Sequence, residues 1–346
     1  MAVRTAVVML NLGGPRCEQE VSGYLVRMFS DRTFIGMPPG LGPIVGKLRA
    51  KAKTQQYAAI GYSPLERWSN LQGLEMTKLL NSALPQHAPF QHYLAFRYSE
   101  PFATDAVTSA LKAGAERLIL FTQYPHYSCA STGNSLRDAI DAVPSANRRQ
   151  VSMIHRWPTH PSYVAAWRQI VLEHLEKFPD QGKEVPVVFS AHSLPSSVVW
   201  AGDMYPYEIG STVNAVMAGL PNPYSLMWQS KVGLQTWLQP STQKGLLTMA
   251  KQGVKQALLV PIAFTSDHIE TLYELDREVL PEAKAAGMSG LIRCAAPNAH
   301  PAFLQALADV VISHIQAPTP PLHHCTHCRF PSECAKLTLV PTSFPS

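Results

Sequence analysis

Val185-Pro186-Val187-Val188-Phe189-Ser190-Ala191-His192-Ser193-Leu194-Pro195 carries the reading of the fold. Val185–Ala191 is β-branched, aromatic and apolar without alternation, and it is too short for a helix. That predicts a strand buried on both faces, as parallel strands are. Polar His192 and Ser193 follow at once, and the turn-rich Phe178-Pro179-Asp180-Gln181-Gly182 lies upstream.

Seven more runs read the same way: Ala6–Leu12, Tyr93–Tyr98, Arg117–Tyr124, Val151–Arg156, Ser225–Ser230, Ala257–Phe264 and Gly290–Cys294. Helical patterns such as Ser162–Phe178 and Pro301–Ile315 separate them. The strands divide four and four about Phe178–Gly182. The predicted fold is therefore α/β, with two Rossmann-like doubly wound domains, each a four-stranded parallel sheet flanked by helices. The active site is expected in the cleft between them. Expected boundaries are 1–178, 179–316 and a C-terminal extension at 317–346; 346 residues exceed one comfortable core.

With 46% hydrophobic and 15% charged residues the composition is globular, without signs of disorder. A net charge of +5 is too mild to argue for nucleic acid, and no basic–aromatic pattern appears. Ala6–Leu12 lacks the flanks of a secretory signal, and no run of roughly 18 apolar residues offers a membrane span. The six cysteines do not fit a disulfide framework, and three of them crowd near the C-terminus.

Ligands of doubly wound folds bind at the C-terminal ends of strands. Those ends carry Asn11-Leu12-Gly13-Gly14-Pro15, Phe96-Arg97-Tyr98, Gln123-Tyr124-Pro125, Trp228-Gln229-Ser230-Lys231 and Thr265-Ser266-Asp267-His268-Ile269-Glu270. No nucleotide fingerprint or phosphate loop is present. His192 is placed to accept a proton near neutral pH, although a lone histidine also serves to bond a neighbouring loop. A helix starting near Ser266 would align Asp267, Glu270 and Glu274 on one face, and three carboxylates repel unless solvated or serving a cation. With His268 they form an oxygen and imidazole set suited to a divalent metal. Tyr98, Tyr124, Trp228 and Trp237 could wall a flat aromatic ligand or simply fill core. Arg97 could hold a carboxylate or close an ion pair.

Met37–Gly46 is apolar and irregular, with Lys47, Arg49, Lys51 and Lys53 behind it. It suits contact with an anionic membrane equally with a covered loop. Cys325, Cys328 and Cys334, beside His323, His324 and His327, read as a metal clamp, for an iron–sulfur cluster or zinc, whose fourth ligand spacing does not reveal.

Taken together, these strings resemble the ferrochelatase family, of the animal-like type with a C-terminal [2Fe-2S] cluster. The resemblance runs from Val7 to Cys334 and is strongest in Asn11–Pro15, Phe121–Cys129, Phe189–Pro195, Trp228–Gly233 and Val260–Asp276. It implies the chelatase fold and insertion of Fe²⁺ into protoporphyrin IX. His192 matches the residue that takes pyrrole protons. Glu270, with Asp267, His268 and Glu274, matches an acidic path for protons or metal on a π-distorted helix. Arg49, Tyr57, Ser63, Arg97, Tyr98, Tyr124 and Trp237 match porphyrin-binding positions. Cys129 matches the fourth cluster ligand beside Cys325, Cys328 and Cys334. The Met37–Gly46 stretch, in a lip at about 33–53, matches a membrane-facing surface. A homodimer is implied too, peripheral on the matrix side of the mitochondrial inner membrane, or on the cytoplasmic face of a bacterial plasma membrane.

Three departures are visible. The step before Ser63 (Ile60-Gly61-Tyr62) is one glycine short, Ile35 replaces a common methionine, and the last two tail cysteines stand one residue further apart. Rival readings are a chelatase for coproporphyrin or another metal, and a non-catalytic haem-binding relative; the latter predicts loss of His192 or Glu270, and both are present.

Overall fold

Strands that must bury both faces need helices on each side, and the chain supplies them in alternation. The computed structural model of the chain describes residues 5–31, 38, 40–232, 235–317 and 337. Its strands are β1 (Thr5–Asn11), β2 (Phe90–Phe96), β3 (Arg117–Thr122), β4 (Val151–Ile154), β5 (Val187–His192), β6 (Tyr224–Gln229), β7 (Gln256–Val260) and β8 (Gly290–Arg293). Every residue of β1 and of β4 is buried. The helices are α1 (Glu18–Ser30), α2 (Leu41–Ala59), α3 (Leu65–Ala83), α4 (Ala103–Lys112), α5 (Asn134–Ala142), α6 (Pro161–Leu175), α7 (Ser196–Trp200), α8 (Tyr205–Met217), α9 (Thr242–Lys251), α10 (Leu280–Ala285) and α11 (Pro301–Gln316). Two π-helical segments, Cys129–Gly133 and Glu270–Val279, interrupt this pattern.

The eight expected strands all form, within a few residues of their predicted ends, as two parallel four-stranded sheets. Their orders are β2-β1-β3-β4 and β6-β5-β7-β8. In each sheet the strand order reverses between its second and third members, so a crevice opens past their C-terminal ends. In the second sheet that switch point lies between β5, which ends on His192, and β7, which leads to Thr265–Glu270.

The chain divides into two units, Met1–Trp157 with Leu304–Ser346, and Pro158–Phe303. The first boundary falls ahead of α6 rather than at Phe178–Gly182, and most of α11 belongs with the first unit. Packing explains both. The Tyr163 hydroxyl on α6 donates to the carbonyl of Ile262 past β7, at 3.4 Å, while His314 near the end of α11 bonds the Ser152 hydroxyl on β4 at 2.9 Å.

The stretch expected to be irregular up to Gly46 is in part helical, because α2 begins at Leu41. Gly42 and Gly46 lie against the backbone of α1. A Cβ on Gly46 would sit 2.8 Å from the Val26 Cα, and one on Gly42 would sit 2.4 Å from the Phe29 carbonyl oxygen. The two helices therefore meet backbone to backbone through the small-residue face. Leu41, Ile44 and Leu48 point away, at 47%, 56% and 75% exposure. Met37 and Ile35 lie outside the described residues.

Candidate active site

The second unit assembles a hydrogen-bonded string of acid, base and hydroxyl. His192 closes β5, and its Nδ1 lies 2.8 Å from Oε2 of Glu270, the first residue of the π-helix Glu270–Val279. Ser230 follows β6 in a left-handed conformation with φ of 65°, uncommon for a residue with a Cβ. That turn aims both of its donors at the helix. The backbone N–H donates to Glu274 Oε1 at 2.7 Å, and the hydroxyl lies 2.6 Å from Glu274 Oε2 and 3.3 Å from Glu270 Oε2.

A second layer fixes the first. The Gln229 amide donates to the Glu270 carbonyl oxygen at 2.9 Å, and its own oxygen accepts from the Ser190 hydroxyl at 2.7 Å. Ser190 also lies 2.7 Å from the Thr242 hydroxyl. All three are buried.

Burial and charge pull the titrating groups apart. Burial alone would depress the His192 imidazolium, but the adjacent Glu270 charge and its hydrogen bond outweigh it and raise the imidazole above its ordinary value. Burial raises Glu270, and His192 overcomes this to bring its carboxyl down to about 2. Glu274 moves upward because it is buried and faces the negative Glu270. Two carboxylates with opposite shifts, joined through one hydroxyl, form an acceptor pair that can pass a proton along.

His268 is buried beside this string. Its Nδ1 lies 3.0 Å from the Ser266 carbonyl oxygen, and its Nε2 stands 4.0 Å from Glu270 Oε1. Asp267 departs from expectation. The helix begins after it, so it does not share a face with Glu270 and Glu274. It pairs instead with Arg293 Nη1 at 2.9 Å and accepts from the Asn298 amide at 2.7 Å. Trp237 belongs to the same unit and bridges Pro195 in antiparallel fashion, three residues past His192. The residue is half-buried, and its buried indole N–H has no acceptor among the described residues. Trp228 is core, tilted against Tyr205 with ring centres 6.2 Å apart.

The first unit holds the other predicted residues. Arg97 is taken up by Asp31 at 2.8 Å and Asp138 at 3.4 Å, and its Nε donates to Asn134 at 3.2 Å. Tyr98 is 1% exposed and donates its hydroxyl to Asp31, so it lies in the core rather than on a pocket wall. Tyr57 is likewise buried, edge-on to Tyr24. Arg49 is exposed over the Phe29 ring, Ser63 packs beside Gly14, and Tyr124 is half-buried. Cys129 opens the short π-turn, its sulfur 3.7 Å from the Tyr127 hydroxyl. Cys325, Cys328 and Cys334 lie outside the described residues, and no group of metal-ligating side chains forms among the described ones.

Sequence reasoning passed over Ser230, Asp31 and Arg293. Ser230 stood in a strand-end motif, and that place directly after β6 was its only sign in the sequence. The other two act on partners distant in sequence and give no local sign.

A model of the Ferrochelatase family matches residues 4–315. The chain is 44% identical over 324 residues to "Ferrochelatase, mitochondrial" of Bos taurus, covering 91% of this chain and 78% of that one. It is 42% identical over 342 residues to the protein of the same name from Drosophila melanogaster, covering 95% and 89%. Among solved structures, SirB from Bacillus subtilis with Fe³⁺ shares the fold at a TM-score of 0.54 and 14% identity, over 90% of this chain and 95% of that one.

The His192–Glu270 pair has a pH signature. A raised histidine adds stability that is complete below its ordinary 6.5 and is lost as pH rises through its folded value. A depressed glutamate adds stability that is present above its ordinary 4.5 and is lost as pH falls toward about 2. The pair therefore stabilises most between those ordinary values. In Glu270→Gln the burial effect on His192 loses its main opponent. NMR titration of the imidazole should show a midpoint above 6.5 in the parent and a clear drop in the variant. An unmoved midpoint would mean that Glu270 does not govern His192.

Proposed function

The chain belongs to the ferrochelatase family, and we propose that it inserts Fe²⁺ into protoporphyrin IX with release of two protons, giving protohaem, the terminal step of haem biosynthesis. The observation that carries this reading is the string His192–Glu270–Ser230–Glu274 at the switch point of the second sheet. Metalation of a free porphyrin removes two N–H protons, so the site needs a base and an outlet. Nδ1 of His192 is engaged by Glu270, which leaves Nε2 to accept a pyrrole proton. Glu270 stabilises the imidazolium so formed. Ser230 links it to Glu274, whose raised affinity for protons suits it to pass each one outward. The second proton follows the same route after the first has left.

His268 flanks Glu270 and is assigned with it to the path for protons or metal. Asp267, spent on Arg293 and Asn298, receives no relay step. Trp237, which bridges Pro195 three residues past His192, offers an aromatic surface of the kind a flat macrocycle requires. We assign Arg97, Tyr124, Ser63 and Arg49 to the porphyrin-binding side on family resemblance; Tyr57 and Tyr98 would act from beneath, through packing.

The exposed Leu41, Ile44 and Leu48 alternate on α2 with Lys47, Arg49 and Lys51, which supports peripheral contact with anionic lipid. No described helix is long and apolar enough to cross a membrane. The mitochondrial relatives support a place in that organelle, and family resemblance alone supports the matrix side of its inner membrane and a homodimer.

A [2Fe-2S] cluster held by Cys129, Cys325, Cys328 and Cys334 completes the reading. Cys129 packs against the apolar cluster in which Leu337 is fully buried. Leu337 follows Cys334 by three residues in sequence. Metal insertion involves no redox change, and the cluster serves structure or sensing.

Three experiments test these assignments. In anaerobic assay with Fe²⁺ and protoporphyrin, His192→Ala should lose on the order of 10²-fold or more in turnover while remaining folded. Normal turnover by that variant removes His192 from the mechanism, and preference for coproporphyrin or another metal favours the rival chelatase. Purified protein should be red-brown with thiolate-to-iron absorption, lost as fully in Cys129→Ser as in Cys328→Ser. Colourless parent protein holding one zinc would overturn the iron assignment. Replacing Leu41 and Ile44 with Asp should release the protein from anionic vesicles without unfolding it, and equal binding would move the contact elsewhere.

A further inference from the structure

The carboxylates of the string stand on a π-helix, and Arg293 touches both sides of the interval that contains them. At the end of β8 its Nε and Nη2 hold the two oxygens of Asp276 at 2.5 and 2.6 Å. Its Nη1 donates to Asp267 Oδ1 and to the Cys294 carbonyl oxygen, each at 2.9 Å. The other oxygen of Asp267 accepts from the Asn298 amide, whose own oxygen accepts the Asp267 backbone N–H at 2.7 Å. Asp267 precedes Glu270 by three residues and Asp276 follows Glu274 by two, so both string carboxylates lie between the anchored positions.

We propose that Arg293 is a positioning residue which, by clamping Asp267 and Asp276, fixes the π-helical register that aims Glu270 and Glu274 at Ser230 and His192. The inference rests on the reading of Glu270 as part of the proton path. π-helical bonding is rare and is retained mostly at functional sites. Relaxation to α-helical bonding would turn each successive side chain further, and Asp276 would leave the guanidinium. The planar fork of arginine suits this two-sided grip, whereas lysine offers a single point of charge. Arg293 and Asp267 have side chains only 9% exposed, so each charge relies on the other. The clamp also accounts for Asp267, an acid beside the site with no free oxygen to relay a proton.

A double-mutant cycle in steady-state assays of the full-length protein tests the clamp. Arg293→Lys should cut kcat by about tenfold or more and leave the KM for protoporphyrin within about twofold. Asp276→Asn, which keeps the Asp267–Arg293 pair and the side-chain shape, should follow in the same direction and guards against a misfolded lysine variant. Glu270→Gln should be more impaired, and adding Arg293→Lys to it should cost little more, because the clamp acts through the residue already removed. A merely structural arginine would lower the thermal midpoint and leave kcat per folded molecule unchanged, or impose its full loss again in the Glu270→Gln background. Either result overturns the proposal. Parent-like turnover by Glu270→Gln would instead strike the assignment of Glu270 itself, a distinguishable outcome.

Discussion

Glu270 carries charge in a place largely withdrawn from water, and the architecture of the second unit follows from making that charge tolerable. An isolated buried carboxylate would take up a proton; this one keeps its charge because an imidazole lies 2.8 Å away and a hydroxyl stands ready to donate. Neither partner is free to wander. His192 is the last residue of a strand paired on both sides, and Ser230 is held in an unusual turn at the end of the neighbouring strand. Gln229, Ser190 and Thr242 tie that turn to the sheet beneath. The charge is thus stabilised by positions that the fold fixes before any substrate arrives, which is what preorganised electrostatics requires.

The π-helix solves a problem of spacing. Glu270 and Glu274 must both reach one serine, on adjacent turns, while their charges repel. The string answers by giving the two carboxylates unequal tasks, one depressed and ionised, the other raised and readier to hold a proton. A hydroxyl between them both donates and accepts, so it can reverse its sense as a proton passes. The backbone departs from regular helix at just this point, a departure that costs stability and is kept where geometry has a use.

Much of this was legible from sequence, for definite reasons. Continuous apolar runs announced all eight strands because a parallel sheet leaves no polar face. His192 and Glu270 stood out as polar residues at and beyond the ends of such runs, and the fold brings them within 2.8 Å. What was hidden depended on geometry that spacing does not encode. Asp267 looked like a helix-face acid, yet the helix starts after it and Arg293 claims it. Tyr98 looked like a pocket wall, but the three donors converging on Asp31 from Arg97, Tyr98 and Asn134 draw its ring into the core. The division into two units falls ahead of α6 and within α11, where the sequence carries no mark, because a turn-rich segment is visible in sequence, whereas the sheet a helix packs on is not.

The order of the two units along the chain has a bearing on biosynthesis. The second is one unbroken segment, 158–303, while the first is assembled from residues up to 157 and residues from 304 onward. A ribosome releases the second in full before the last pieces of the first emerge. The usual rule that N-terminal domains fold first is therefore inverted here. Until the residues beyond 303 are made, β4 of the first sheet lacks its His314 partner and the apolar cluster lacks Leu337. During that interval the nascent chain presents an unfinished hydrophobic surface.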